Sequence, residues 1–159
     1  MQFHDCPFKI LIDSREQKPW KFCGLKTNKP KELEILVDTE VCGIDPGDYT
    51  IEGHEKKVAI ERKSKPDLFH CLGKDRVRFE KQIERMNEIQ HAYLFVEASW
   101  ESLMTGCTES RLNPRVVFRT QASWSQKYPR VHWVFCPTVR IAEAHAFRIF
   151  DTYWRHLKG

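Results

Sequence analysis

The chain has 159 residues, 41% hydrophobic and 30% charged, with a formal net charge of +4 at pH 7. That length suits one domain spanning 1–159 around a single core, and no apolar run approaches the ~20 residues that cross a bilayer. The opening MQFHDCPFK lacks the basic-then-apolar pattern of a secretory signal, so the expected setting is cytoplasmic or nucleoid-associated. A mildly basic balance is compatible with a nucleic-acid partner and gives no reason to expect a membrane. Cysteines 6, 23, 42, 71, 107 and 136 are spread without a C-x-x-C pair or zinc-like spacing, and read as reduced thiols.

Residues 8–13 (FKILID) form an apolar run typical of a core strand and end in Asp13. Residues 14–31 hold Pro, Gly, Asn and Lys and read as loop, with 20–22 (WKF) a short strand or an anchor. Residues 33–41 are β-branched enough for a strand, expected to pair with the hairpin that follows. In that hairpin, residues 49–51 (YTI) and 57–63 (KVAIERK) flank the turn-forming EGHE. Alternation along the return strand puts Val58, Ile60 and Arg62 on one face and Ala59, Glu61 and Lys63 on the other. Asp48 follows Pro46-Gly47 and is placed to meet Glu61 across the hairpin.

Ser64 then reads as an N-cap, with Pro66 in the first turn and Asp67 at its third position, opening a short helix over 68–72 that stops at Gly73. Residues 75–89 form a second helix with Phe79, Ile83 and Met86 facing the core. Residues 92–98 are an apolar strand whose one charge is Glu97, either a capping partner or a member of the site. A short helix at 100–104, a polar loop, and a helix from Asn113-Pro114 with Val116, Val117, Thr120 and Trp124 inward come next. The strand 131–135 precedes a closing helix over 138–157. Its apolar face is Ala146, Phe147, Phe150, Trp154 and Leu157, and either core packing or an interface with a second subunit accounts for that face. His145 and His156 read as packing or surface histidines. Strands first, then alternating strand and helix, suit a central mixed sheet flanked by helices.

Asp48, Glu61 and Lys63 together carry the chemistry. Two carboxylates offer hard oxygen ligands to Mg²⁺ or Mn²⁺, which acidifies water, and an ammonium beside them orients that water and offsets charge on a phosphate. Lys56, Lys57, Arg62, Lys63, Lys65, Lys74, Arg76, Arg78 and Lys81 crowd around this motif, a local field suited to a phosphate substrate. Arg78 and Gln82 share a stripe of the second helix with Arg85. Together with Lys65, Lys74 and Arg76 they are candidate DNA contacts.

GDY followed by IERKSKPDL resembles the GD…ERKxxxD signature of the XPF-type structure-specific nuclease family. ILIDSRE at residues 10–16 is similar to that family's apolar strand ending in D-x-R-E. Leu72-Gly73 with Arg76, Val77, Arg78, Phe79 and Gln82 is similar to its next helix, and YLFVE at 93–97 to its next core strand. Ser123-Trp124 and Tyr128-Pro129 also look like short phage and bacterial members. The resemblance implies an α/β, restriction-endonuclease-like (PD-(D/E)xK) core and metal-dependent DNA cleavage. It implies catalytic positions Asp13, Arg15, Asp48, Glu61, Arg62, Lys63 and Asp67.

The metal set would be Asp48 and Glu61, with Asp13 and Glu16 completing its shell or forming a second site. Lys63 would orient water, and Arg15 or Arg62 would clamp phosphate. Because Arg62 points to the other face, it is expected to fix Asp67 or another acid. Eukaryotic and archaeal members carry helix-hairpin-helix repeats after the nuclease, and no glycine-hairpin repeat follows residue 100 here. Branched or flap DNA, handled in repair, recombination or replication, is therefore one substrate class among several. The expected activity is an endodeoxyribonuclease with DNA as partner, as a homodimer or with a hetero-partner. The alternatives are a non-catalytic DNA-binding scaffold and a restriction or junction-resolving nuclease of the same fold.

Overall fold

A computed structural model describes residues 2–28 and 30–159. Six strands form one mixed sheet: β1 (Phe3–Asp13), β2 (Glu34–Cys42), β3 (Tyr49–Ile51), β4 (Val58–Ser64), β5 (His91–Glu97) and β6 (Val131–Phe135), in the spatial order β2-β1-β3-β4-β5-β6. The antiparallel β3–β4 hairpin lies in the middle, and β4, β5 and β6 run parallel. The expected pairing of the second strand with the hairpin does not occur. β1 takes that place, with Ile10, Leu11 and Ile12 opposite Ile51, Thr50 and Tyr49, and β2 runs parallel to β1 on its outer side. The physical reason is burial: Ile10, Leu11 and Ile12 are all buried, whereas β2 exposes most of its residues and suits an edge.

Helices α1 (Lys65–Leu72), α2 (Arg76–Met86), α3 (Trp100–Met104) and α4 (Arg115–Lys127) connect the later strands, and α5 (Val139–Leu157) closes the chain. Alternation along β4 divides the core into two layers. Val58 and Ile60 join Ile10, Ile12, Phe95 and the inner face of α5. Ala59 joins Leu94, Val96 and the inner residues of α1, α2 and α4. Ser64 caps α1 as its sequence foretold, its hydroxyl accepting the Asp67 N–H at 3.3 Å. Phe79, Ile83 and Met86 are the buried residues of α2.

The face of α5 differs from expectation at its end. Ala142, Ala146, Phe147, Phe150 and Tyr153 are buried, and Leu157 is 53% exposed. Trp154 is half-buried and packs on Phe8 of β1, ring centroids 5.5 Å apart, as expected, whereas the 3.6-residue period carries Leu157 off the sheet. Packing over Phe8, Ile10 and Phe95 is thus the account of this face that the structure bears out, of the two expected. No helix among the described residues is long and apolar enough to cross a membrane.

Candidate active site

The carboxyl ends of β1 and β4 meet at the turn before β3. Gly47 makes this approach workable. It has φ +102°, where a side chain is strained, and a Cβ there would sit 3.3 Å from the Ala59 Cβ. Two small residues thus let the turn lie on β4, with the Asp48 N–H donating to the Ile60 carbonyl at 2.8 Å. The carboxylate of Asp48 accepts the Arg62 N–H at 2.8 Å. Glu61 is 3% exposed and directed at the same spot, and Lys63 Nζ lies 3.5 Å from its Oε1. Lys63 also lies over the Phe79 ring, 5.3 Å from its centroid.

Burial pushes both carboxyls up, with repulsion from Glu61 added at Asp48 and from Glu16 at both. Asp48 is raised to about 8, by desolvation first and Glu61 second, while the Arg62 N–H works the other way. Glu61 is raised by desolvation, against which Lys63 and the Gln82 amide favour its charge. Desolvation works against the Lys63 ammonium, but Glu61, Cys71 and Asp48 more than offset it, so its pKa rises and it stays cationic at neutral pH. Lys63 is therefore a cation and a hydrogen-bond donor at neutral pH. Glu61 Oε2 is buried and has no hydrogen-bond partner. A desolvated acidic pair with an orphaned oxygen suits a divalent cation, and Mg²⁺ commonly takes one or two carboxylates and completes its shell with water and phosphate. Among the described residues no three His, Cys, Asp or Glu side chains cluster as a metal site by themselves.

Two acids expected in the shell are engaged elsewhere. Both oxygens of Asp13 are used, Oδ1 by the Ile44 N–H at 3.0 Å and Oδ2 by Arg15 Nε at 2.8 Å. Glu16 Oε2 accepts from Tyr49 Oη at 2.7 Å and from Arg62 Nη1 at 3.2 Å, and its charge still raises Asp48 and Glu61. Asp13 therefore holds the 43–45 turn, and Glu16 stands behind the pair. The side chain of Arg15 is 73% exposed. It lines a polar groove of about 600 Å³ with Gln17, Lys18, Ser64, Asp67 and Glu97.

Arg62 is on the α5 face, as alternation requires, but its partners are not Asp67. Its Nε donates to Glu97 Oε1 at 2.8 Å, and Nη1 reaches Glu16, the Lys18 carbonyl (2.8 Å) and Tyr49 Oη (3.2 Å). The guanidinium lies 4.8 Å from the Trp20 ring centroid, and Trp20 stacks on Tyr49 at 4.5 Å. Trp20 Nε1 donates to Glu97 Oε2 at 3.3 Å, which settles Glu97 as a partner of Arg62 and Trp20. With 12% of its side chain exposed, Arg62 ties loop 14–20 to β4 and is not free to clamp a phosphate. Trp20 is the anchor that the WKF segment suggested, whereas the polar role of Tyr49 escaped the sequence reading because it looks like an ordinary strand position.

The candidate DNA contacts divide. Lys65 Nζ donates to the Ser102 carbonyl at 2.8 Å and ties α3 to α1, and Arg76 donates to Thr120 Oγ1 at 2.9 Å while lying over Trp124. Gln82 faces Glu61 as well as the surface. Lys74 and Arg78, joined by Lys81 and Arg85, line an open groove of about 570 Å³ on α2 beside the acidic pair.

The sheet, its helices and this corner define a restriction-endonuclease-like α/β fold. The model of the ERCC4 domain family matches residues 12–141, and the chain belongs to that family of nuclease domains. Among solved structures it is similar to XPF from Aeropyrum pernix in complex with DNA, at TM-score 0.67 and 15% identity over 93% of this chain and 66% of that one. XPF from Aeropyrum pernix without DNA matches at TM-score 0.65 and 16% identity, over 94% and 67%. The chain thus spans about two thirds of the length of the archaeal protein. No curated protein sequence matches it.

Proposed function

We propose that residues 1–159 act as one nuclease domain that hydrolyses DNA phosphodiester bonds with Mg²⁺ or Mn²⁺ bound at Asp48 and Glu61. The buried, unpartnered Glu61 Oε2 beside a second desolvated carboxyl and Lys63 carries this reading. A divalent cation bound by the pair supplies Lewis-acid polarisation of the phosphate and a more acidic water. Lys63, held as an ammonium by Glu61 and Asp48, orients that water and balances charge on the phosphate oxygens. Arg15, exposed, with Nε on Asp13 and Nη2 on the Ile44 carbonyl at 3.0 Å, is the guanidinium whose Nη1 is left to meet a phosphate. Arg62, Glu16, Glu97 and Tyr49 are positioning residues that fix the loop bearing Arg15. Asp67 borders the same groove and helps keep Lys63 charged. Lys74, Arg78 and Gln82 would carry DNA toward the pair.

Family membership and the DNA-bound state of the Aeropyrum relative support DNA as the substrate. The test is cleavage of end-labelled duplex, single-stranded, flap, fork and four-way DNA with Mg²⁺, Mn²⁺ or EDTA. Metal-dependent cutting that disappears in Asp48→Asn and Lys63→Ala is expected. A folded, fully active Lys63→Ala protein would sink the assignment. Binding without any cutting would make the chain a DNA-binding scaffold.

A further inference from the structure

No Asp or Glu occurs between Glu109 and Glu143, although the chain carries 22 in 159 residues. The same span holds Arg111, Arg115, Arg119, Lys127, Arg130 and Arg140. Lys127 is paired with Glu80, and Arg140 is committed to Glu143 and to the Cys23 and Gly24 carbonyls. Arg111, Arg115 and Arg119 are exposed, and their side chains make no hydrogen bond or ion pair among the described residues. Most other arginines of the chain are tied down, as Arg62, Arg76, Arg85 and Arg148 are. Arg130 is unpaired as well but precedes β6 at its amino end, which leaves Arg111, Arg115 and Arg119 as a local field that no ion pair neutralises among the described residues.

Their position relates this field to the acidic pair. Lys63 of β4 is opposite Val96 of β5, and Val96 is opposite Phe135 of β6. The three share one sheet face, so Phe135 lies two strand spacings, roughly 10 Å, from Lys63. Trp100 at the head of α3 lies 4.1 Å from the Phe135 ring centroid and 4.8 Å from that of Phe118 on α4. This contact fixes the amino-terminal half of α4 at the catalytic end of the sheet. Arg115 is on the Phe118 side of α4 and Arg119 one turn further along. An open hollow of about 610 Å³, lined by Lys65, Thr105, Thr108, Glu109, Ser110 and Pro114, lies between the start of α1 and this row. Glu109 is its one acid.

We propose that Arg111, Arg115 and Arg119 form a second DNA-backbone track, on the β6 side of the acidic pair and separate from the α2 groove. It rests on the reading of the chain as a DNA nuclease and adds where a second stretch of the substrate lies. Arg115 and Arg119, four residues apart, rise about 6 Å along one face of α4, which sets two guanidiniums along one strand of phosphates. The contacts carry no sequence information and act through charge.

The test is binding of fluorescent DNA by the full chain in EDTA, between about 50 and 200 mM salt. Each phosphate contact contributes about 0.9 to the slope of log K against log salt on duplex DNA. The triple variant Arg111→Gln, Arg115→Gln, Arg119→Gln should lower that slope by roughly 2 to 3 and weaken binding at least tenfold. A charge-matched control, Lys26→Gln, Lys31→Gln, Lys158→Gln, at the amino end of β2 and the end of α5, should leave it nearly unchanged. The single variant Arg115→Glu gives the same reading if the triple misfolds. Equal slopes for triple and control overturn the proposal. So does a wild-type dimer that the triple turns into monomer, because the row would then face a second copy of the chain. Wild-type protein that binds no DNA overturns the nuclease reading itself.

Discussion

Asp48→Asn in metal-free protein should raise stability above that of the wild type at neutral pH. The carboxyl of Asp48 is raised to about 8 by burial and by Glu61, so the folded chain holds a proton there that the unfolded chain, titrating near the ordinary value of 3.8, gives up. Between those values the folded state binds more protons than the unfolded one, and stability falls as pH rises. The stability this proton confers is present below the unfolded pKa and is lost as pH climbs through the folded one. At about 1.36 kcal/mol per pH unit, a ceiling on the order of 4 kcal/mol is reached by pH 7. Asp48 is part-exposed at the cleft rim, and water there reduces this to about 2 kcal/mol. For a chain of this size that is a shift of about 4–8 °C in Tm. Asparagine keeps an oxygen for the Arg62 N–H, so the hydrogen bond survives. Thermal unfolding in EDTA at pH 5, 6, 7 and 8 measures it. The wild-type Tm should drop across the series, Asp48→Asn should flatten it, and Mg²⁺ at pH 8 should raise the wild-type Tm while leaving the variant almost unmoved. A wild-type Tm flat from pH 5 to 8, with no gain from Asp48→Asn at pH 8, would refute the reasoning.

Lys63→Ala should lower kcat at least a thousandfold with little change in circular dichroism, as measured by single-turnover cleavage. Arg62→Met should cost about 2–4 kcal/mol in urea unfolding, because the half-buried Glu16 and Glu97 would lose their shared cation. Loop 14–20 should become protease-sensitive in that variant, and Arg62→Lys should restore little of either property. Gly47→Ala should destabilise by about 1–2 kcal/mol through its positive φ and its approach to Ala59. It should also lower metal affinity by shifting Asp48, read by Mg²⁺-dependent thermal shift.

The local pieces are legible in the residues alone. Period-2 alternation over 58–63 sorted Val58, Ile60 and Arg62 from Ala59, Glu61 and Lys63, because side-chain direction in a strand is fixed by the backbone. Ser64 with Pro66 announced the start of α1, since caps are satisfied within three residues. The Gly47-Asp48 pair and Glu61 were legible because one hairpin joins them over a short span. Long-range partners were decided only by the tertiary structure. Nothing local says that β1 inserts between β2 and the hairpin, a choice made by which strand has two apolar faces to bury. Nor does Arg62 reveal which acids it meets: Glu16 and Glu97 are 46 and 35 residues away along the chain. Asp13 looked like a ligand beside Asp48, and became a turn anchor because the Ile44 N–H and Arg15 claimed both its oxygens. Desolvation, which raises Asp48 and Glu61, exists only once α2 covers β4, so the property that suits the pair to a cation belongs to the fold and not to the motif.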